Sequence, residues 1–143
     1  MARRQRNEYL ERLASVPLFS GLEDDELNVV AGLGTEIPVA EGTELTTEGG
    51  IAHEAFLVMT GTAACLKDGV EVATFGPGDF FGEMALISQR PRNATVTATS
   101  DMTVRAFDEG EFRRMLVDSP HVAVKILLST AERLLSAQPS PTH

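Results

Sequence analysis

The chain has 143 residues, 43% hydrophobic and 23% charged, with a formal net charge of −9. That size fits one domain with a buried core, and the composition is that of a globular protein. The acidic balance argues against nucleic acid as a partner, a lone cysteine excludes an internal disulfide, and no apolar run is long enough to span a bilayer.

In chain order, Asn7 to Ala14 reads as a short helix with Leu10 and Leu13 on one face. Ser20-Gly21-Leu22-Glu23 has the spacing of a capping box, and acidic residues follow through Glu26, as suits a helix N-terminus. The helix it opens presents Leu27, Val30 and Ala31 and ends near Gly32 and Gly34. From Thr35 the period shortens to that of strands, with candidates at 36–39, 44–47, 55–59, 62–67, 70–75, 94–99 and 103–107. Asp68-Gly69 is a tight-hairpin signal, and Gly76-Pro77-Gly78-Asp79 is a turn. Asp108, with Glu111 three residues on, starts a helix that faces Phe112, Met115 and Leu116 inward. Ser119-Pro120 starts the last helix, in which Val124, Leu127, Leu128, Ala131, Leu134 and Leu135 recur at helical spacing. Many short strands with glycine-rich turns indicate an antiparallel sandwich or roll.

One interruption in the strand region carries the functional signal. The stretch 78–96 reads GDFFGEMALISQRPRNATV. A short helix opening near Gly82 would aim free backbone N–H groups at an anion. Arg92 adds a planar, permanently charged fork suited to phosphate oxygens. Glu83 would be repelled by phosphate and is better placed to accept from a sugar hydroxyl. Phosphate and hydroxyl together imply a phosphorylated sugar. Between Leu13 and Gln89 the only Lys or Arg is Lys67, so an anion must be held by local geometry around Arg92. Arg90 competes for the phosphate, Phe80 and Phe81 read as core, and Cys65 reads as a packed strand residue.

These residues resemble the phosphate-binding cassette of cyclic nucleotide-binding domains, the regulatory modules of cyclic-AMP-dependent kinase, catabolite activators and cyclic-nucleotide-gated channels. The likeness extends to Val16-Pro17-Leu18-Phe19-Ser20-Gly21-Leu22, Gly42-Thr43-Glu44-Leu45, Glu48-Gly49-Gly50 and Phe56-Leu57-Val58-Met59-Thr60-Gly61. It implies one mainly β domain over 1–143: N-terminal helices at 1–34, an antiparallel β-roll of jelly-roll type at 35–107 with the cassette at 82–95, and two C-terminal helices at 108–138. It also implies that Glu83 binds the ribose hydroxyl and Arg92 the cyclic phosphate. Gly82, Met84, Ala85, Asn93 and Ala94 would contribute mainly through their backbones. Asn93 stands where cyclic-AMP binders of the kinase type usually carry alanine and cyclic-GMP binders threonine. On the last helix Arg133, Ser136 and Gln138 are candidates for a lid over the base.

The expectation is a stand-alone cytoplasmic sensor of a cyclic nucleotide, cyclic AMP or alternatively cyclic GMP, with no cofactor, metal or catalysis. The three histidines, His53, His121 and His143, are scattered, and no serine lies in a nucleophile elbow. The signal would leave through a protein effector or a homodimer formed by the last helix, with no nucleic acid or membrane partner. Two rivals are a nucleotide-independent interaction module on the same fold and the sensor half of a transcription regulator. The second is disfavoured because the sequence ends in a proline-rich tail without a helix-turn-helix.

Overall fold

A computed structural model describes residues 8, 10, 11 and 13–137. Among them eight antiparallel strands form two four-stranded sheets. The strands are β1 (Thr35–Val39), β2 (Glu44–Thr46), β3 (Glu54–Thr60), β4 (Ala63–Lys67), β5 (Val70–Phe75), β6 (Phe80–Phe81), β7 (Thr95–Ala98) and β8 (Met102–Asp108). One sheet runs β1-β8-β3-β6 and the other β2-β7-β4-β5. Helix α1 (Asp24–Ala31) precedes the roll, α2 (Glu83–Ser88) interrupts it, and α3 (Glu109–Asp118) and α4 (Pro120–Ala137) follow it.

Side chains alternate across each strand, which gives the first sheet two apolar faces. On β3, Phe56 and Val58 turn towards the second sheet and meet Val104 and Ala106 of β8, Ala63 of β4 and Val96 of β7. Ala55 and Leu57 turn the other way and pack with Phe107 against Leu13, Phe19, Val30, Phe112, Met115 and Ile126 of the helices. The helices therefore share a core with the roll and bear directly on the strand that leads to the site.

The expected hairpin is present: Asp68 and Gly69 both have positive φ, at 53° and 80°, which matches the right-handed twist of the flanking strands. At the second turn Asp79 N–H donates to Gly76 O at 3.0 Å, and Gly76 N–H donates to the Asp79 carboxylate at 2.8 Å. The capping box at Asp108 and Glu111 is closed from both sides.

One expectation is corrected and two are extended. The box proposed at Ser20 does not form. Helix α1 starts only at Asp24 with Glu23 as an uncapped N-cap, and Ser20 instead closes a 3₁₀ turn at Pro17–Phe19, its hydroxyl donating to Pro17 O. Proline at the first position had already fixed a turn there, one step too early for the box. Phe80 and Phe81, buried as expected, also form the short strand β6 against Phe56 and Leu57. Finally, the repeated apolar residues of α4 leave an exposed strip. Val122 and Ile126 are buried, whereas Val124, Leu127, Leu128, Leu134 and Leu135 are exposed. A helix with two apolar stripes can bury only one against a single body.

One polar group is missing from the sequence reading. Arg105 lies buried on β8, its Nε donating to Leu33 O at 2.8 Å and its Nη2 to Ala31 O and Gly34 O at 3.2 Å. It satisfies carbonyls at the end of α1 that the helix itself leaves open.

Candidate functional site

Arg92 reaches its place because the chain on both sides of it is fixed. Its N–H donates to Gly50 O at 2.8 Å, and its carbonyl accepts from Gly49 N–H at 2.8 Å. The side chain then runs inward, 8% exposed, where Nη1 donates to Gly82 O and Nη2 to Glu54 O, both at 2.6 Å. Burial lowers its pKa, and the carboxylates of Glu54 and Glu83 act in the opposite direction. A guanidinium has five N–H donors, so two carbonyl bonds leave others for a ligand.

Gly82 is required by two separate facts. Its φ is +87°, and a Cβ there would stand 2.9 Å from Arg92 Nη1. The glycine lets α2 begin beside the guanidinium, and the first turn of any helix leaves N–H groups without intrahelical partners.

Glu83 is the first residue of α2 and is 0% exposed. Its Oε1 accepts from the Thr130 hydroxyl at 2.8 Å and from Arg133 Nη2, both on α4. Its Oε2 is buried without a partner among the described residues. A buried carboxylate oxygen left unpaired is costly, and such atoms are rare in native folds. One oxygen thus ties the cassette to the last helix while the other is left without a partner.

All seven sequence-predicted cassette residues, Gly82, Glu83, Met84, Ala85, Arg92, Asn93 and Ala94, line one cavity of about 520 Å³. Its floor includes Phe75 and Phe81, stacked at 4.9 Å between ring centroids, and its outer wall is Cys65, Lys67, Val72 and Ala73 of the β4–β5 hairpin. Arg133 and Leu134 close it from α4, with the Arg133 guanidinium 6.0 Å from the Phe75 centroid. Asn93 is exposed, its amide 3.9 Å from Met84 sulfur, and Arg90 is exposed and does not line the cavity.

Of the lid candidates, Arg133 lines the cavity but is engaged by Glu83. Ser136 belongs to α4 with a side chain outside the described set, and Gln138 lies outside the described residues. Cys65 is half-buried and does more than pack: it lines the cavity, and burial pushes its thiol pKa up. Thr130 and the Glu54 carbonyl were missed. Thr130 carries a readable signal, because Val122, Ile126, Thr130 and Arg133 follow one helical face. A main-chain carbonyl carries none. Among the described residues no group of three or more His, Cys, Asp or Glu could hold a metal ion.

The profile of the cyclic nucleotide-binding domain matches residues 36–119. The chain belongs to this family. As a cyclic nucleotide-binding domain it is similar to cAMP-dependent protein kinase regulatory subunits. That of Yarrowia lipolytica is 39% identical over 114 residues, covering 78% of this chain and 30% of the relative. That of Hypocrea atroviridis is 35% identical over 112 residues, covering 78% of this chain and 24% of the relative. The chain therefore spans about a quarter to a third of the length of these relatives. Among solved structures, the regulatory domain of Toxoplasma gondii PKA co-crystallised with cAMP superposes with a TM-score of 0.79 at 26% identity, covering 92% of this chain and 51% of that one. The matching profile is that of a binding domain, and the named relatives are regulatory subunits. No helix among the described residues is long and apolar enough to cross a membrane.

Proposed function

We propose that this domain is a cyclic nucleotide sensor, with cyclic AMP as the first ligand to test, and that it transmits binding through its last helix. The observation that carries the reading is the unpartnered Oε2 of Glu83, a buried acceptor on a residue that lines the same cavity as Arg92. A cyclic nucleotide offers the two matching groups: a ribose hydroxyl that donates to Oε2 and a cyclic phosphate that accepts from Arg92 and nearby N–H groups. The similarity to regulatory subunits of cAMP-dependent protein kinase supports the choice of ligand.

The division of labour on Glu83 supports the mechanism. A ligand hydroxyl on Oε2 need not displace Thr130 or Arg133 from Oε1, so ligand and α4 can hold the same carboxylate together. Binding would then raise the population of the arrangement in which α4 lies over the cavity. The domain acts by itself as the sensing unit, with no cofactor and no catalytic step. Its output goes to a protein effector on the exposed strip of Val124, Leu127, Leu128 and Leu135. A homodimer through the same face is the competing arrangement, distinguished by light scattering with and without ligand.

Titration calorimetry with cyclic AMP, cyclic GMP and linear AMP tests the reading. Micromolar or tighter binding of a cyclic form, absent for AMP, is the expected result. No heat from either cyclic form would instead leave the fold as a nucleotide-independent interaction module. A cyclic-nucleotide-dependent electrophoretic shift of DNA would place it in a transcription regulator.

A further inference from the structure

We propose that Thr46 is a positioning residue for the phosphate half of the site, its hydroxyl setting the main chain of Asn93 and Ala94, an inference that rests on the cyclic nucleotide reading above. Thr46 lies on β2, is 6% exposed and lines the cavity together with Arg92, Asn93 and Ala94. The β2–β7 ladder is irregular at this point. Its register moves from Glu44↔Thr97 to Thr46↔Val96, two steps on one strand against one on the other. The Thr46 side chain bridges that irregularity: its hydroxyl donates to Ala94 O at 3.0 Å and accepts from Val96 N–H at 3.1 Å.

The rest of the segment is stitched to the loop that follows β2. Arg92 N–H donates to Gly50 O and Gly49 N–H to Arg92 O, both at 2.8 Å, and Glu48 N–H donates to the Thr95 hydroxyl at 2.9 Å. In a trans peptide the N–H and C=O point in opposite directions. The bond on Arg92 O therefore turns the Asn93 N–H away from that loop. The bond from Thr46 to Ala94 O fixes the plane two peptides further on. Between them lies the plane that carries the Ala94 N–H, and it takes its orientation from these two neighbours. Neither the Asn93 nor the Ala94 N–H has a hydrogen-bond partner among the described residues, and both residues line the cavity. Main-chain donors need partners, and a ligand phosphate beside Arg92 supplies them.

The bonds at Gly49 and Gly50 join main-chain atoms, and the one to the Thr95 hydroxyl is exposed. Thr46 is thus the buried side chain on which the segment depends. Valine has the shape of threonine without the hydroxyl. Thr46→Val leaves Ala94 O and Val96 N–H without their partner away from bulk water, and turning towards solvent relieves them. That turn carries the Asn93–Ala94 plane with it and takes its N–H off the phosphate.

The test is calorimetry and amide NMR of the full chain, as parent, Thr46→Val and Thr46→Ser, with cyclic AMP and cyclic GMP. Thr46→Val is expected to weaken whichever cyclic nucleotide the parent binds by about fivefold to thirtyfold. Thr46→Ser, which keeps the hydroxyl, should weaken it by no more than about threefold. A hydrogen bond to an anion moves an amide proton downfield, so ligand should shift the Asn93 and Ala94 amides in the parent and in Thr46→Ser, and much less in Thr46→Val. A role in stability alone would lower the melting temperature of Thr46→Val and leave its affinity within about twofold of the parent, which overturns the proposal. Equal losses of affinity in the two variants also overturn it, since packing and not the hydroxyl would then matter. Should Thr46→Val fail to fold, the other spectra decide: Asn93 and Ala94 amides unmoved by ligand overturn the proposal, and amides moved alike in the parent and Thr46→Ser uphold it. A parent that binds neither nucleotide removes the cyclic nucleotide reading itself, and the role of Thr46 with it.

Discussion

Arg92 donates to Gly82 O and Glu54 O as well as facing the cavity, so its substitution removes a ligand contact and an internal tie at once. A charged hydrogen bond contributes about 1.5–3 kcal/mol, so Arg92→Ala should weaken cyclic nucleotide binding by about ten- to a hundredfold. It should also lower the melting temperature of the ligand-free protein, because two partly buried carbonyls lose their donor. Calorimetry and thermal unfolding check the two effects separately. Binding within a factor of two of the parent would rule Arg92 out as the phosphate ligand. The short Gly-Glu and Arg-Asn-Ala signals made Arg92 and Glu83 legible in the sequence. The bonds to Gly82 O and Glu54 O were not, since main-chain carbonyls are common to every residue and only the fold selects two of them.

Among the elements, α4 is held at three places that its sequence marks only partly. Val122 and Ile126 bury in the helix core, Lys125 Nζ donates to Pro17 O at 3.0 Å and to the Ser20 hydroxyl at 2.8 Å, and Thr130 and Arg133 reach Glu83. The leucine-rich stripe of the same helix is open to solvent. Ile126→Ala should therefore cost about 2–5 kcal/mol in chemical denaturation, whereas Leu127→Ser should stay within about 0.5 kcal/mol. Equal losses for both would mean that α4 lies on its other face. The stripes are alike in sequence. What separates them is the position of Phe107 and Phe112, which offer an apolar bed to one face alone.

The start of α4 is also joined to α1. Glu26 accepts from His121 Nδ1 at 3.1 Å and from the buried Ser119 hydroxyl at 3.3 Å. The hydrogen bond from His121 comes first among the causes that hold the Glu26 carboxyl below the ordinary glutamate value. A depressed carboxyl pKa means that the joint stabilises the fold above the unfolded value, about 4.3, and loses that contribution as the pH falls through the folded value. Acid unfolding below about pH 4.3 should accordingly be less steep in Glu26→Gln than in the parent. The effect should be small, because the His121 side chain is 70% exposed. Superimposable acid unfolding curves would show that the contact contributes nothing.

For the whole molecule, the question is how a ligand in the roll moves a helix outside it. Glu83 offers a direct route, since it lines the cavity while its Oε1 is bonded to α4 and its Oε2 is left without a partner among the described residues. In the parent, ligand should increase hydrogen-exchange protection across residues 120–137. In Arg133→Ala this increase should be lost or much reduced, with binding itself weakened by only about three- to tenfold. Retention of the full protection in Arg133→Ala would mean that the coupling runs elsewhere, through the shared helix core.

The sequence by itself determined the alternation that makes two sheets, the turns at Asp68-Gly69 and at Gly76 to Asp79, the capping box at Asp108, and the cassette that names the family. Each of these is local: a period, a required φ or a short ordered motif. The tertiary structure alone decided which stripe of α4 is buried, that Arg105 closes the end of α1, that Cys65 and Lys67 line the cavity, and that Arg133 and Thr130 hold Glu83. The bonds of Arg105 and of Glu83 alone join residues 47 to 74 positions apart. No local preference specifies such pairs. They arise because the roll must bury both faces of β3 and β8, which fixes where the last helix crosses the cassette.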